Sequence, residues 1–292
     1  MRKVFVIGLD CLDYYIVENL NCKEFLQKVH KKLETIINPE VGEPSTEEIW
    51  ISIITGVPPE VHKVRAGQAK RWKSKTLQKF REVLIKIEKK NRSVERLISK
   101  LRPGKFFEKL GFEKTGIVDN LPVKTIFDIV KPSIAYSIPV YNEDLNKYWE
   151  LIGWRSRDYA LKHREIIAKR AREYFLKEVE ETLKLIKNDW ILFFVHYQYI
   201  DDISHMYYDE PEIIEQTYYE VEEIIKNIKN NLPKDTVVLI VSDHGINDIG
   251  LHAPYSFFSI NVKIDEKYLP KSVLDLKDFI INLIYEKIPI ED

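Results

Sequence analysis

The sequence predicts an α/β fold: a mainly parallel central sheet flanked by helices, with a helical cap inserted into it. Two patterns carry this expectation. Short, continuously apolar runs recur along the chain, as expected of strands covered on both faces. Between them, apolar residues repeat at helical spacing, so strands and helices alternate. A third pattern says where function lies. Asp10, Asp201 and Asp243 each follow an apolar run, and in such sheets ligands gather outside the carboxyl ends of the strands.

Taken in order, V-F-V-I-G-L within Lys3 to Leu9 reads as a central strand ending at Asp10. Pro44-Ser45-Thr46 and the following E-E-I-W-I-S-I-I-T-G read as a turn feeding a helix that ends near Thr55-Gly56. Thr46 then lies at the helix N-terminus, where N–H groups and the dipole favour a phosphate. Ser45 or Thr46 with Glu48 also has the form of a capping box. Residues 64–121 break the alternation: they are rich in Lys and Arg, helical in pattern and without a strong strand. The expected division is a core of residues 1–63 and 122–292 with a basic, mostly helical insert at 64–121. Ser133 to Val140 reads as a weaker strand. Ile167, Ala171, Phe175, Val179, Leu183 and Ile186 share one helix face, and so do Ile214, Tyr218, Val221, Ile225 and Ile228. Trp190 to Tyr197, Thr236 to Ser242 and Tyr255 to Val262 complete the strands.

The chain has 292 residues, 45% hydrophobic and 31% charged, which suits one large folded domain with an insertion and argues against disorder. No stretch has the length of a membrane-spanning helix, and the first residues lack the form of a signal peptide. Two cysteines, Cys11 and Cys22, make no disulfide framework, so a cytoplasmic setting is the simpler expectation. The net charge of −1 hides an asymmetry: residues 61–110 hold 17 Lys+Arg and 4 Asp+Glu, a balance of +13, against −14 for the rest. A basic block in an acidic protein suits an anionic substrate, or a nucleic acid bound through phosphates.

The chemistry-bearing residues are few. Ser242-Asp243-His244-Gly245 places two ligand-type side chains at a strand end, with Gly245 available for a sharp turn. Asp201 and His205, four apart, face one side of a helical turn. His252 lies in a loop eight residues past His244. Taken singly, each has an ordinary reading: a polar turn, a helix start, a surface histidine. Asp13 and Asp202 adjoin these residues and read as supporting or solvated. His30, His163 and His196 show no partner pattern. Lys63 and Arg65 are candidate phosphate contacts, although a basic helix face is commonly just solvated.

In this order the motifs resemble the alkaline phosphatase superfamily, and most closely its type I phosphodiesterase/nucleotide pyrophosphatase branch. The similar elements are I-G-L-D at Asp10, Thr46 nine residues before Thr55-Gly56, P-P-E-V-H at His62, D-x-x-x-H at Asp201 and His205, S-D-H-G at Asp243 and His244, and a final His252. T-I-F-D-I-V and S-I-P-V-Y, ending at Tyr141, resemble the branch as well. The resemblance implies an alkaline-phosphatase-like fold and two divalent ions, Zn²⁺ first, with Mn²⁺ or Fe as alternatives. Asp10, Thr46, Asp243 and His244 would hold one ion, and Asp201, His205 and His252 the other. It implies Thr46 as nucleophile through a phosphothreonine intermediate; Tyr141, in the similar segment, joins Lys63 and Arg65 as a candidate substrate contact. Three positions depart from the pattern: Ile49 stands where the branch has an Asn that binds the phosphoryl oxygen, Lys63 follows His62 in place of Gly, and Cys11 follows Asp10 in place of Gly. Cys11 reads as a small buried residue.

The expected protein is thus a metal-dependent hydrolase of phosphate esters, a phosphodiesterase acting on a small phosphorylated substrate such as a nucleotide. A phosphomonoesterase, phosphonate hydrolase or phosphomutase on the same scaffold stays open, as does a nucleic-acid-binding protein using the basic insert.

Overall fold

The structure is a computed structural model and describes residues 1–67, 71–72, 114–115, 118 and 120–291. Its strands are β1 (Val4–Leu9), β2 (Val29–Glu34), β3 (Arg71–Trp72), β4 (Lys114–Thr115), β5 (Ser133–Tyr136), β6 (Leu192–Tyr197), β7 (Val237–Val241), β8 (Gly245–Ile246), β9 (His252–Ala253) and β10 (Tyr255–Ile260). Six of them form the central sheet in the order β2-β10-β7-β1-β6-β5. β1, β5, β6 and β7 run parallel, while β10 is antiparallel to both β7 and β2. The mainly parallel sheet flanked by helices expected from the alternation is therefore present.

Alternation along β1 explains the two layers around the sheet. Phe5, Ile7 and Leu9 join a core with Phe175, Tyr218 and Val221, whose helices Arg164–Leu185 and Pro211–Asn230 cover one face. Val4 and Val6 join a second core with Trp50, Ile53, Phe279 and Leu283, from helices Thr46–Thr55 and Leu276–Ile284 on the other face. Register then positions the site. Gly8 of β1 pairs with His196 of β6 and with Val241 of β7. The three strands end level, and Asp10, Gln198 and Ser242-Asp243 emerge at one edge.

Several local expectations change. β2 was not legible as a strand: in V-H-K-K-L-E only Leu33 is buried, because this is an edge strand. β5 stops at Tyr136 because Ser137 turns into the left-handed region at φ 56°, while its hydroxyl donates to Glu178 Oε1 over 2.5 Å. The capping box does not form. Ser45 makes no side-chain cap bond, and Glu48 Oε1 instead accepts from Asn38 Nδ2 and Ala66 N at 2.7 and 2.9 Å. Of the expected cap over 64–121, β3 and β4 pair antiparallel, which joins two points of the basic segment backbone to backbone. The rest of that expectation falls outside the described residues.

His62 ties the Thr46–Thr55 helix to the segment after it. Its Nδ1 accepts from Val64 N at 3.1 Å, so the proton sits on Nε2, 2.9 Å from Ser52 Oγ. Burial holds this imidazole down to about 4, below the ~6.5 of an exposed histidine. The folded state therefore resists a proton that the unfolded chain accepts, and stability falls as pH drops from the unfolded value towards 4. We expect denaturant unfolding to show up to ~1.4 kcal/mol lost per pH unit in that window from this group. His62→Gln should flatten that slope, and an unchanged slope would exclude His62 as its source.

Candidate active site and metal centre

Asp10 follows β1 directly and is fully buried. Trp50 Nε1 donates to its Oδ2 at 3.1 Å, and His196 Nε2 lies 3.1 Å from the same oxygen. His196 Nδ1 in turn meets Ser137 O at 3.0 Å. His196, which showed no partner pattern in the sequence, thus lies directly against Asp10. Its one available signal was a histidine inside an otherwise apolar strand. Trp50 reaches Asp10 only because Gly8 has no side chain: a Cβ there would lie 2.7 Å from the indole.

Thr46 opens the helix Thr46–Thr55, half-buried at the edge of a cleft of about 470 Å³. Its Oγ1 is 3.3 Å from His244 Nε2. The helix closes on Gly56 at φ 68°, whose N–H donates to Ser52 O at 2.7 Å, a left-handed cap. The helix N-terminus presents its dipole and first-turn N–H groups where Thr46 lies.

Asp201 and His205 sit in the helix Tyr199–Tyr207, and His252 opens β9. Three imidazoles share one logic. His205 Nδ1 meets Gly250 O at 2.8 Å, His252 Nδ1 meets Pro44 O at 2.8 Å, and His244 Nδ1 meets Gly245 O at 3.1 Å. A carbonyl only accepts, so each Nδ1 carries a proton and each Nε2 points inward, where it can offer a lone pair to a cation. His205 Nε2 and His252 Nε2 are 3.0 Å apart, and His205 Nε2 is 3.2 Å from Asp201 Oδ1. His244 Nε2 is 3.2 Å from Asp243 Oδ2 and 3.5 Å from Asp10 Oδ1.

The donor atoms fit two divalent cations. Asp10 Oδ1, Asp201 Oδ1 and Asp243 Oδ2 are buried without a hydrogen-bond partner, an arrangement that is unfavourable unless positive charge compensates it. The electrostatics agree. Burial, then the Asp201 charge, push Asp243 up to about 7. Burial, then Asp243, raise Asp10 well above the usual carboxylate range. Burial opposes charge on both Asp201 and His205, but their mutual attraction wins: Asp201 is held below the usual range and His205 is lifted to about 9. Asp201, His205 and His252 form one group of potential ligands within 4.8 Å of one another, and Asp10, Asp243 and His244 form another.

All seven residues singled out in the sequence therefore converge. The three candidate substrate contacts do not join them. Lys63 Nζ bonds Glu60 O, Arg65 Nη1 bonds Glu60 Oε1 at 3.0 Å, and Tyr141 stacks on Phe127 with centroids 5.4 Å apart. None of the three lines the cleft. The cleft wall instead carries Trp149, Trp154, Arg155, Arg157 and Gln198, which sequence reasoning missed because no motif marks them. Gly245 is needed for close approach rather than a turn: a Cβ would collide with the Asp13 carboxylate and the Tyr255 ring. Asp13 is buried, accepting from Tyr255 Oη at 2.7 Å and Ile246 N at 3.1 Å. Asp202, also buried, accepts from Tyr148 Oη. Neither is solvated.

A profile of the type I phosphodiesterase/nucleotide pyrophosphatase family matches residues 4–272. The chain belongs to this family. Membership agrees with the branch its motifs resemble. Among solved structures, the PH0037 protein from Pyrococcus horikoshii is 14% identical with a TM-score of 0.53, covering 97% of each chain. BT1596, a 2-O GAG sulfatase, is 10% identical with a TM-score of 0.53, covering 99% of this chain and 71% of that one. These likenesses concern the fold. A curated relative, GPI ethanolamine phosphate transferase 2 of Kluyveromyces lactis, is 29% identical over 66 residues, 23% of this chain and 8% of that protein. The chain thus matches less than a tenth of that relative's length. Within the family pattern, Ile49 is fully buried in the second core, so the position of the expected Asn serves packing here. Among the described residues, both cysteines are free and buried, and no helix is long and apolar enough to cross a membrane.

Proposed function

We propose that this chain is a two-metal phosphodiesterase that hydrolyses a small phosphorylated substrate through a phosphothreonine intermediate. The supporting observation is the convergence of three unpartnered carboxylate oxygens and three inward Nε2 atoms beside Thr46 Oγ1. Asp10, Thr46, Asp243 and His244 would hold one ion, and Asp201, His205 and His252 the other. The mixed oxygen and nitrogen set suits Zn²⁺ first, with Mn²⁺ or Fe as alternatives. When bound, the ions supply Lewis-acid charge that acidifies a hydroxyl and a water and neutralises phosphate oxygens.

The chain's own residues do the rest. The helix N-terminus at Thr46 orients the phosphate. Thr46 Oγ1, its proton lost to solvent, bonds to phosphorus while the bond to the leaving oxygen breaks, and that oxygen is protonated from solvent. Water then adds to phosphorus and loses a proton, the Thr46–phosphorus bond breaks, Thr46 Oγ1 takes a proton back, and a phosphate monoester leaves. Gln198 Nε2, donating to Asp201 Oδ2 at 2.8 Å, steadies that carboxylate throughout.

The cleft favours a diester over a monoester. Trp149 and Trp154 provide an apolar wall for a second ester group, and Arg155, exposed at the rim, provides charge for a further anionic group. Bis(4-nitrophenyl) phosphate should turn over at least about tenfold faster than 4-nitrophenyl phosphate, a difference of ~1.4 kcal/mol in barrier. A faster monoester or phosphonate would replace the diesterase reading with one of those activities. Arg155→Ala should raise KM for a nucleotide pyrophosphate about three- to fivefold, the size of an exposed charge contact. KM for the singly charged nitrophenyl diester should stay unchanged. Equal effects on both substrates would remove Arg155 from recognition of a second phosphate.

A further inference from the structure

Cys11, next to Asp10, has no part in the mechanism above. It is fully buried and adopts left-handed backbone at φ 60°, a conformation that disfavours any residue with a side chain. The sequence alone suggested a small buried filler. The structure places its Sγ in a group with Asp201 and His244 whose ligand atoms all lie within 4.8 Å of one another. Asp201 belongs to the cluster with His205 and His252, and His244 to the cluster with Asp10 and Asp243. Sγ thus takes one neighbour from each and lies at the seam between them.

A second, independent observation points to a cation at this seam. Asp201, the carboxylate of this group, keeps its Oδ1 buried without a hydrogen-bond partner. The cysteine is also held in place: its N–H donates to Asp243 Oδ1 at 3.3 Å, and Tyr218 Oη donates to its carbonyl at 3.5 Å. Cys22 is equally buried but belongs to none of the candidate ligand groups among the described residues.

We propose that Cys11 Sγ is a thiolate ligand at the seam between the two metal sites, a soft donor in an otherwise oxygen and nitrogen set. The assignment rests on the two-metal reading of this site. As the sulfur–metal bond forms, the thiol proton goes to solvent. A thiolate shifts preference towards Zn²⁺ and Co²⁺ and away from Mn²⁺ and Mg²⁺.

Cobalt provides the test, read by absorbance rather than turnover. The full chain is stripped with chelator and loaded with Co²⁺ alone. Wild type should show visible d–d bands together with an intense near-ultraviolet sulfur-to-cobalt charge-transfer band. Cys11→Ser and Cys11→Gly should keep the visible bands and lose the near-ultraviolet one, while Cys22→Ser keeps both. Glycine accepts the left-handed backbone, so that variant also separates loss of ligand from loss of fold. With zinc, X-ray absorption should show a sulfur neighbour at about 2.3 Å in wild type. The Zn²⁺-over-Mn²⁺ affinity ratio should fall at least about tenfold in Cys11→Gly. Visible bands without charge transfer in wild type would overturn the thiolate and leave the metal centre standing. Wild type that binds no cobalt at all would overturn the metal centre, and the thiolate with it.

Discussion

Thr46→Ala should lower kcat on a nitrophenyl phosphodiester by about 10³-fold or more, as expected when a nucleophile is deleted. The geometry makes the loss specific. Thr46 is half-buried at the cleft, and its Oγ1 is 3.3 Å from His244 Nε2. The residues that follow it in the helix, Glu47 to Thr55, are all buried, so no neighbouring hydroxyl in the helix can substitute from the same face. Thr46→Ser keeps the oxygen and should stay within about tenfold of wild type, since only a methyl is removed. Rapid quenching of wild type should trap the nitrophenyl phosphoryl group on Thr46, and the alanine variant should trap none. An alanine variant with more than a tenth of wild-type activity would remove Thr46 as nucleophile.

The second large effect concerns Asp243. It is fully buried, its Oδ2 has no hydrogen-bond partner, and its nearest charged neighbours include Asp10 and Asp201. Asp243→Asn preserves shape and removes one negative charge from a buried cluster of carboxylates. Activity should fall about 10³-fold or more through loss of a ligand. Stability should move the other way. Stripped of metal, the variant should melt about 3 °C or more above stripped wild type, the equivalent of roughly 1 kcal/mol in a protein of this size. Adding zinc should then stabilise wild type far more than the variant. A stripped variant less stable than stripped wild type would mean that the carboxylate is satisfied without a cation. These two predictions separate chemistry from charge: one variant loses the reaction and keeps the electrostatic crowding, the other relieves the crowding and loses the reaction.

Much of this was legible in the sequence because buried parallel strands announce themselves. V-F-V-I-G-L, W-I-L-F-F-V-H-Y and T-V-V-L-I-V-S are apolar on both faces, and their ends fix where Asp10, Asp201 and Asp243 emerge. The helix after Thr46 showed both its start and its Gly56 stop. What stayed hidden has physical causes. Strand β2 sits at an edge with only Leu33 buried, so no apolar run marks it. Glu48 bonds Asn38 and Ala66, which lie outside its helix, and such partners follow from tertiary contact rather than local spacing. His196 gains its role only because β6 lies beside β1, opposite Gly8. Arg155 reaches the cleft from the loop before the short helix Arg157–Lys162, which Arg157 opens, and a loop has no periodicity to read. Arg157 also anchors the loop before His252 by donating to Ile249 O, a contact 92 residues away in sequence.

Gly8 carries one more consequence. It contributes no polar atom, yet the indole of Trp50 rests where its side chain would be, and that indole holds Asp10. Strand β1 and the helix that begins at Thr46 are thereby locked at van der Waals distance, four residues beyond the nucleophile. A homologue with alanine at position 8 and every ligand intact would have to push that helix outward, carrying its threonine away from the centre. In judging which relatives retain this chemistry, a residue without a functional group is thus as informative as the seven that have one.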